Sequence, residues 1–311
     1  MTTTAQCAVP VTPIEVTGDT RWEKVKSIVD KLETGVQEIF TSGKFQEYLS
    51  FLAKFHDYSF GNVILIAMQK PDASLVAGYG DWLKKHHRYV KKHEKGIKIL
   101  APIISKKRKD KDAETDAKDG QQTDDKDENQ KVVCAFKIVT VFDVSQTDGE
   151  PLPSLGVEEL TGTVDRFNGF MAALESVSPV PIAYEQIDSG AHGYFSPREN
   201  RIAIQDGMSQ LQTAKTTVHE VAHAVLHAWP NGEKPKDGPD RHSKEVQAES
   251  VAYVVCQHYG LDTSDYSFGY VAGWSTGQEV KELKASLDVI RKTSHELISA
   301  IDAYMDKEVS A

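Results

Sequence analysis

Apolar residues recur at helical spacing through much of the chain. Between positions 21 and 40 they fall three or four residues apart, and Gly43 ends the pattern, which predicts an amphipathic helix. The same reasoning predicts further helices at 45–55, 61–68, 81–87, 158–177, 210–229, 244–259, 268–274 and 278–305. Apolar runs rich in Val, Ile and Phe predict strands at 97–104, 132–144, 182–186, 191–196 and 201–204.

Three segments lack such a pattern. Residues 1–20 are polar and broken by Pro10 and Pro13, which predicts a disordered tail. Residues 105–131 contain no aromatic and no large aliphatic residue, so we expect a disordered charged insert at the tip of a hairpin. Glycines and prolines cluster at 145–157 and predict a domain boundary. The expected fold class is α+β, with domains at 21–145 and 155–265 and a helical extension at 266–311.

Composition narrows the class of protein. Of 311 residues, 40% are hydrophobic and 26% are charged, which excludes a wholly disordered chain. No run of about 18 apolar residues is present, so we expect no membrane-spanning helix and no membrane partner. The polar first residues argue against a secretory signal. Three widely spaced cysteines are typical of free thiols in a reducing cytoplasm, where we expect the protein to lie.

The net charge of −10 is unevenly distributed. Residues 21–101 hold 14 Lys and Arg against 9 Asp and Glu, whereas residues 132–311 hold 14 against 26. A basic first half and an acidic second half indicate two modules with different partners, although solvated surfaces alone would also account for the difference.

The segment His219-Glu220-Val221-Ala222-His223 carries the strongest chemical signal. Two histidines at i and i+4 share one helix face, and both can reach one zinc ion with Glu220 beside its water. This spacing predicts metal-assisted hydrolysis, with Glu220 as the general base. The alternative interpretation is a core helix whose histidines are satisfied by packing.

A catalytic zinc ion takes a third protein ligand, which we expect from the following helix. Glu245 and Glu249 stand one turn apart there, and Glu245 is the better candidate. Glu249 would then accept the second ring proton of a ligand histidine, although the reverse assignment is open. His242 is a weaker candidate ligand, and His227 is expected to cap or pack. The hairpin at 191–204 can supply a sheet edge that holds a peptide extended.

Longer motifs resemble two known families. The series GYFSPRENRIAI, HEVAHAVLH and EVQAESVAYVV resembles the ImmA/IrrE-like gluzincin peptidases. The series YLSFLAKFHDYSFGNVILIAMQKPDASLVAGYGDW, YVKKHEKGIKILAPI and FKIVTVFDVSQT resembles the N-terminal domain of ArdC-type antirestriction proteins of mobile elements. Together the resemblances cover about residues 22–260. They imply a helical single-stranded-DNA-binding domain with a β-hairpin, then a gluzincin-like domain with a small sheet, an active-site helix and Glu245 as third ligand.

Aromatic and cationic residues alternate between positions 55 and 98. Rings that stack on unpaired bases and cations that follow phosphates are how proteins bind single strands without sequence preference. A core of aromatics under a solvated lysine face is the alternative. The ArdC-type resemblance implies Tyr58, Ser59 and Asn62 as residues that contact the strand or shape its site. Physical reasoning adds Trp82, Arg88 and Lys92.

The sequence therefore predicts a single-stranded-DNA-binding protein with a zinc-dependent peptidase domain, acting in antirestriction or DNA-linked regulation on an unidentified protein or peptide. Mn2+ is an alternative to Zn2+. A non-enzymatic protein that shields DNA and holds a structural metal is the second hypothesis. A regulatory protease of ImmA/IrrE type, with incidental DNA binding, is the third.

Overall fold

A computed structural model of the chain describes residues 9–41, 44–106, 131–152, 164–229, 233, 235–263, 266, 268, 271–276 and 278–309. The first half opens with three helices: α1 (Arg21–Thr41), α2 (Phe45–Lys54) and α3 (Phe60–Gln69). Each turns an apolar stripe inward, as the spacing predicts; Ile28, Leu49 and Leu65 are completely buried. The prediction of a disordered tail is wrong for residues 9–20: Val11 and Ile14 are buried in the core, and the Thr12 N–H donates to Gln69 O at the end of α3. Residues 1–8 of that prediction lie outside the described residues.

Short strands and one helix complete the first half. They are β1 (Val76–Gly78), α4 (Tyr79–His86), β2 (Arg88–Val90), β3 (Ile97–Lys106), β4 (Lys131–Asp143), a 3-10 turn (Val144–Gln146) and β5 (Thr147–Gly149). Strand β4 lies between β1 and β3 in an antiparallel sheet. Pairing of β3 with β4 runs as far as Lys106 and Lys131, which confirms the predicted hairpin. Its tip, 107–130, lies outside the described residues, so its disorder stays a prediction.

The short antiparallel pair of β2 and β5 was not predicted, because three-residue strands are too short to show a period. Strand β5 lies within the expected boundary at 145–157 and pairs back to the first half. The domain limits themselves stay a prediction.

The second half contains α5 (Val164–Val177), β6 (Ile182–Glu185), β7 (Gly193–Ser196), β8 (Arg201–Gln205), α6 (Gln210–His227), α7 (Arg241–His258), α8 (Val271–Ser275) and α9 (Val280–Val309). Strand β8 lies at the centre of its sheet, parallel to β6 and antiparallel to β7. Its residues Ile202, Ala203 and Ile204 are fully buried. Strand β7 is therefore an edge of this sheet, next to α6. The mixed helix and sheet content confirms the α+β class.

The two halves pack directly on each other through α2 and α7. The Ser50 and Tyr253 hydroxyls lie 2.7 Å apart, and His258 Nδ1 lies 3.0 Å from the Ala53 carbonyl oxygen. The apolar core is continuous across this contact. Within the part of the chain that the structure describes, no helix is both long enough and apolar enough to cross a membrane.

Candidate metal centre and nucleic-acid surface

Two capped helices position the predicted metal ligands. The Ser209 hydroxyl accepts the N–H of Gln212 at the start of α6, and the Asp240 carboxylate accepts the N–H of Ser243 at the start of α7. Such caps satisfy backbone donors that a helix start leaves unpaired. Helix α6 then presents His219 and His223 one turn apart toward α7, which carries Glu245.

The three side chains meet at one point. The Nε2 atoms of His219 and His223 lie 3.1 Å apart. The Oε2 atom of Glu245 lies 3.7 Å from the first nitrogen and 3.4 Å from the second. Metal–ligand bonds of about 2.0–2.1 Å place two ligand atoms of a tetrahedron about 3.3 Å apart. The donor triangle therefore fits a zinc-sized ion, with one tetrahedral position left open.

Glu220 lies beside this triangle and is 8% exposed. Burial raises the pKa of its carboxyl, and the nearby His219 and His223 and a backbone hydrogen bond from Phe195 oppose the rise. A carboxylate with a raised pKa is a better proton acceptor, which suits it to act as a base. The hydrogen bond from Phe195 also ties β7 to this carboxylate.

Glu245 pairs with the two histidines. Their side-chain hydrogen bonds hold the pKa of Glu245 well below its usual range. Burial lowers the pKa of His219, but its hydrogen bond to Glu245 and the charges of Glu220, Glu245 and Glu249 outweigh burial and raise it. An excess of negative charge at the site favours a cation there.

His227 orients one ligand through a second hydrogen bond. Its Nε2 lies 3.2 Å from Gln247 Oε1, an acceptor, so this nitrogen carries the hydrogen. Burial lowers the pKa of His227 to about 4, so the ring is neutral and its Nδ1 is an acceptor. His223 Nδ1 lies 2.9 Å away and donates to it. In a neutral His223, the Nε2 lone pair then remains for a metal. Sequence reasoning missed Gln247, because its partner lies 20 residues away.

We expect His227→Phe to weaken zinc binding by about 10–100-fold, because losing the acceptor frees the His223 tautomer. Zinc affinity measured by competition with a chelator checks this. His242→Ala, which changes an exposed histidine on α7, serves as the control and should leave affinity unchanged. Equal affinity in all three proteins would remove the orienting role of His227.

The alternative ligands lie differently. Glu249 is close enough to raise the pKa of His219 and lines a neighbouring pocket with it. Its proposed role as hydrogen-bond acceptor stays a prediction. His242 is exposed and lies outside the donor cluster.

We expect His219→Ala, His223→Ala and Glu245→Gln each to lose about one equivalent of zinc per chain, because two ligands rarely hold a zinc ion. Elemental analysis of purified protein measures the loss. Glu249→Gln is the matched control on α7 and should keep the ion. Greater loss from Glu249→Gln than from Glu245→Gln would establish the reverse assignment.

A cleft of about 1140 Å³ opens over the triangle. Strand β7 lines one side through Gly193, Tyr194 and Phe195. A methyl group on Gly193 would lie 2.7 Å from Thr216 Cγ2 on α6. The absent side chain therefore lets the sheet edge approach the helix that carries the histidines. The structure thus places the predicted hairpin edge beside the predicted metal ligands.

The first half holds the residues implied by the ArdC-type resemblance. The half-buried Tyr58 donates its hydroxyl to Val76 O, and the exposed Ser59 caps α3 by accepting the N–H of Asn62. The Asn62 amide exchanges two hydrogen bonds with the Leu100 backbone, at 2.9 and 3.0 Å. Asn62 therefore joins α3 to β3, which is a shaping role. Contact of these residues with DNA stays a prediction.

The structure does not support base stacking on Trp82 or phosphate binding by Arg88. Trp82 is completely buried, and its indole N–H donates to Phe142 O at 2.9 Å. The Arg88 guanidinium donates to Thr147 and to the backbone oxygens of Gly149 and Glu150, and so fastens β2 to β5. Tertiary packing occupies both side chains, which segment composition does not reveal.

Other side chains of this segment are exposed. Tyr79 is 63% exposed and Tyr89 is 58% exposed. Lys92 is exposed as predicted. Some cations are engaged: Lys85 pairs with Asp81 at 3.0 Å, and Lys98 donates to Ile14 O. Within the described ranges, four lysines of the segment make neither an ion pair nor a side-chain hydrogen bond, namely Lys84, Lys91, Lys92 and Lys95. The two tyrosines and these four lysines are called the basic face below.

Comparison with known proteins places the first half in a family. Residues 19–142 match the model of the N-terminal domain of anti-restriction factor ArdC. The chain therefore carries an ArdC-type N-terminal domain, which confirms the resemblance for this half.

An uncharacterized protein of Bacillus anthracis is 26% identical over 320 residues, which cover 90% of this chain and 51% of the relative. The chain thus spans about half the length of that relative. Two crystal structures of antirestriction ArdC protein from the R388 plasmid are also similar. The metal-free form is 22% identical with a TM-score of 0.46, covering 80% of this chain and 84% of that one. The Mn(II)-bound form is 21% identical with a TM-score of 0.45, covering 79% and 83%.

Proposed function

We propose that the second half is a zinc-dependent peptidase of the gluzincin class. The observation that carries this proposal is the donor triangle of His219, His223 and Glu245 with the buried Glu220 beside it. A structural zinc site is normally closed by four protein ligands, whereas this triangle leaves one position open toward a large cleft. An open position and an adjacent carboxylate are what hydrolysis requires.

The side chains have distinct roles in this proposal. A bound zinc ion would supply Lewis acidity, which activates water and polarises the scissile carbonyl. His219, His223 and Glu245 would hold it. Glu220 removes a proton from the attacking water and delivers it to the leaving amine, for which its raised pKa suits it. Mn2+ can also use imidazole and carboxylate ligands, so metal analysis decides between the ions.

Strand β7 supports a peptide substrate. It is a sheet edge that lines the cleft, and its Phe195 backbone contacts Glu220. An extended peptide added beside β7 would gain backbone hydrogen bonds there and lie across the donor triangle. The substrate class is therefore an unfolded or extended protein segment.

We further propose that the first half binds single-stranded DNA through the basic face. Its two exposed tyrosines offer rings to unpaired bases, and its four lysines offer charge to phosphates. Together with the ArdC-type N-terminal domain, this supports an antirestriction role on DNA of mobile elements in the cytoplasm. Metal-dependent hydrolysis would then act on a protein met at that DNA.

We expect the full chain to bind single-stranded DNA more tightly than duplex, because stacking needs unpaired bases. Three or four phosphate contacts give a log–log salt slope of about −2 to −3, and Lys92→Ala should flatten it by about 0.7. Tyr89→Ala should weaken binding by about 1–3 kcal/mol with little change in slope. Fluorescence anisotropy of a labelled oligonucleotide over a salt series measures both quantities.

Trp22→Ala is the matched control for this experiment. Trp22 is 71% exposed on α1, outside the basic face, so its loss should leave binding unchanged. Equal affinity for single and double strands would show that the basic face binds DNA through charge alone, without stacking of bases. Absence of binding at low salt would discard the nucleic-acid role.

A further inference from the structure

A second cluster of metal-binding side chains lies away from the cleft. His56 and Asp57 occupy the turn between α2 and α3, and His295 lies on α9. The Nδ1 atoms of the two histidines are 3.2 Å apart. Asp57 Oδ1 lies 3.7 Å from the first and 3.3 Å from the second. Residues 239 positions apart in the sequence thus bring three donor atoms together.

The second triangle closely repeats the first. Its sides of 3.2, 3.3 and 3.7 Å compare with 3.1, 3.4 and 3.7 Å at the candidate active site. Both have two imidazole nitrogens and one carboxylate oxygen, and both match the edge of about 3.3 Å expected around a tetrahedral zinc ion. Among the described residues, these are the two clusters with three donors so close together.

The surroundings suit a partly open site. The side chain of His56 is 12% exposed and that of His295 is 37% exposed, while Asp57 is 73% exposed. The imidazoles are thus held by the fold, and the carboxylate leaves a route for an ion and its water. The ring of His258 lies edge-on to His56 at 5.0 Å, and its Nδ1 contacts Ala53 O. These contacts limit rotation of His56 and keep its Nδ1 toward His295.

We propose that His56, Asp57 and His295 form a second site for a divalent transition ion of the zinc class. The ion would join the α2–α3 turn of the first half to α9. Helix α9 in turn contacts the end of α7, where the Tyr259 hydroxyl donates to Asp302 Oδ1 at 2.7 Å. The ion therefore fastens the DNA-binding half to the helices behind the cleft. This site is independent of the proposed peptidase function.

A zinc titration of the full-length, metal-free chain tests this site. In a His219→Ala/His223→Ala background, which silences the first site, calorimetry should still find one zinc ion per chain. Adding His295→Ala should remove that ion and abolish the zinc-dependent rise in Tm, because only the folded state binds it. Glu296→Ala, which removes a neighbouring carboxylate on α9, is the control and should retain both. Asp57→Asn, at an exposed position, should weaken binding at least tenfold without loss of folding.

Stoichiometry in the unaltered chain gives a second measurement if the background variant does not fold. Two zinc ions are then expected, and Asp57→Asn should leave one. Full zinc retention by both His295→Ala and Asp57→Asn would overturn the second site, whether the unaltered chain binds one ion or two. Glu220→Gln, which should lose peptidase activity, should leave the number of bound zinc ions unchanged. The second site and the peptidase function can therefore be refuted independently of each other.

Discussion

We expect Glu220→Gln to abolish peptide hydrolysis and to leave bound zinc in place. Glutamine keeps the size of the side chain but cannot accept the water's proton, and general acid–base catalysis contributes about 10²–10⁴-fold in rate. Glu220 lies outside the donor triangle, so elemental analysis should find the metal content of the unaltered chain. Hydrolysis is measured on a library of unstructured peptides, with new termini identified by mass spectrometry.

Glu175→Gln is the control. Glu175 is an exposed carboxylate that accepts a hydrogen bond from the Tyr184 hydroxyl and is not part of the donor triangle. It should leave both rate and metal content unchanged. Hydrolysis at the normal rate by Glu220→Gln would refute the role of Glu220 as base. A zinc-loaded chain that cleaves no peptide of the library would favour the non-enzymatic, DNA-shielding alternative.

We expect Trp82→Ala to destabilise the folded chain by about 3–5 kcal/mol, the range for removing a fully buried aromatic ring. The substitution also leaves Phe142 O without its indole donor, which adds to the loss. Chemical denaturation measures the change in unfolding free energy. Far-UV circular dichroism monitors it, because this signal does not rely on the fluorescence of the tryptophan that is removed.

Tyr89→Ala provides the contrast, because Tyr89 is 58% exposed. Its stability should change by no more than about 0.5 kcal/mol. Unaltered stability of Trp82→Ala together with weaker DNA binding would contradict the buried position and restore Trp82 as a stacking residue.

Local features of the sequence were sufficient for most helices and for two of the three proposed metal ligands, His219 and His223. The regular spacing of apolar residues within α1, α6 and α7 reflects the repeat of an α-helix, and this repeat involves only residues close together in the chain. His219 and His223 face the same way for the same reason, since i and i+4 adjoin on any α-helix. The strands β2 and β5 were not predicted because three residues are too few to show the alternation of a strand.

The nucleic-acid residues show where composition alone misleads. An aromatic ring that stacks on DNA and one that fills a core look alike in a sequence, and only packing distinguishes them. Trp82 and Tyr89 lie seven positions apart, yet one is fully buried and the other is 58% exposed. Arg88 likewise serves the β2–β5 pair, because the oxygens it needs come from a strand about 60 residues away.

The sequence by itself determined the principal helices and the paired histidines with Glu220, because each depends on contacts within a few turns of chain. It also determined the α+β class and the long hairpin, whose strands show as separate runs rich in Val, Ile and Phe. Tertiary structure brought Glu245 to those histidines, aligned Gln247 and His227 behind His223, and placed His295 beside His56 and Asp57. Metal donors must converge to within about 4 Å in space. The positions of the donors along the sequence do not show which of them converge, because only packing of the helices brings them together.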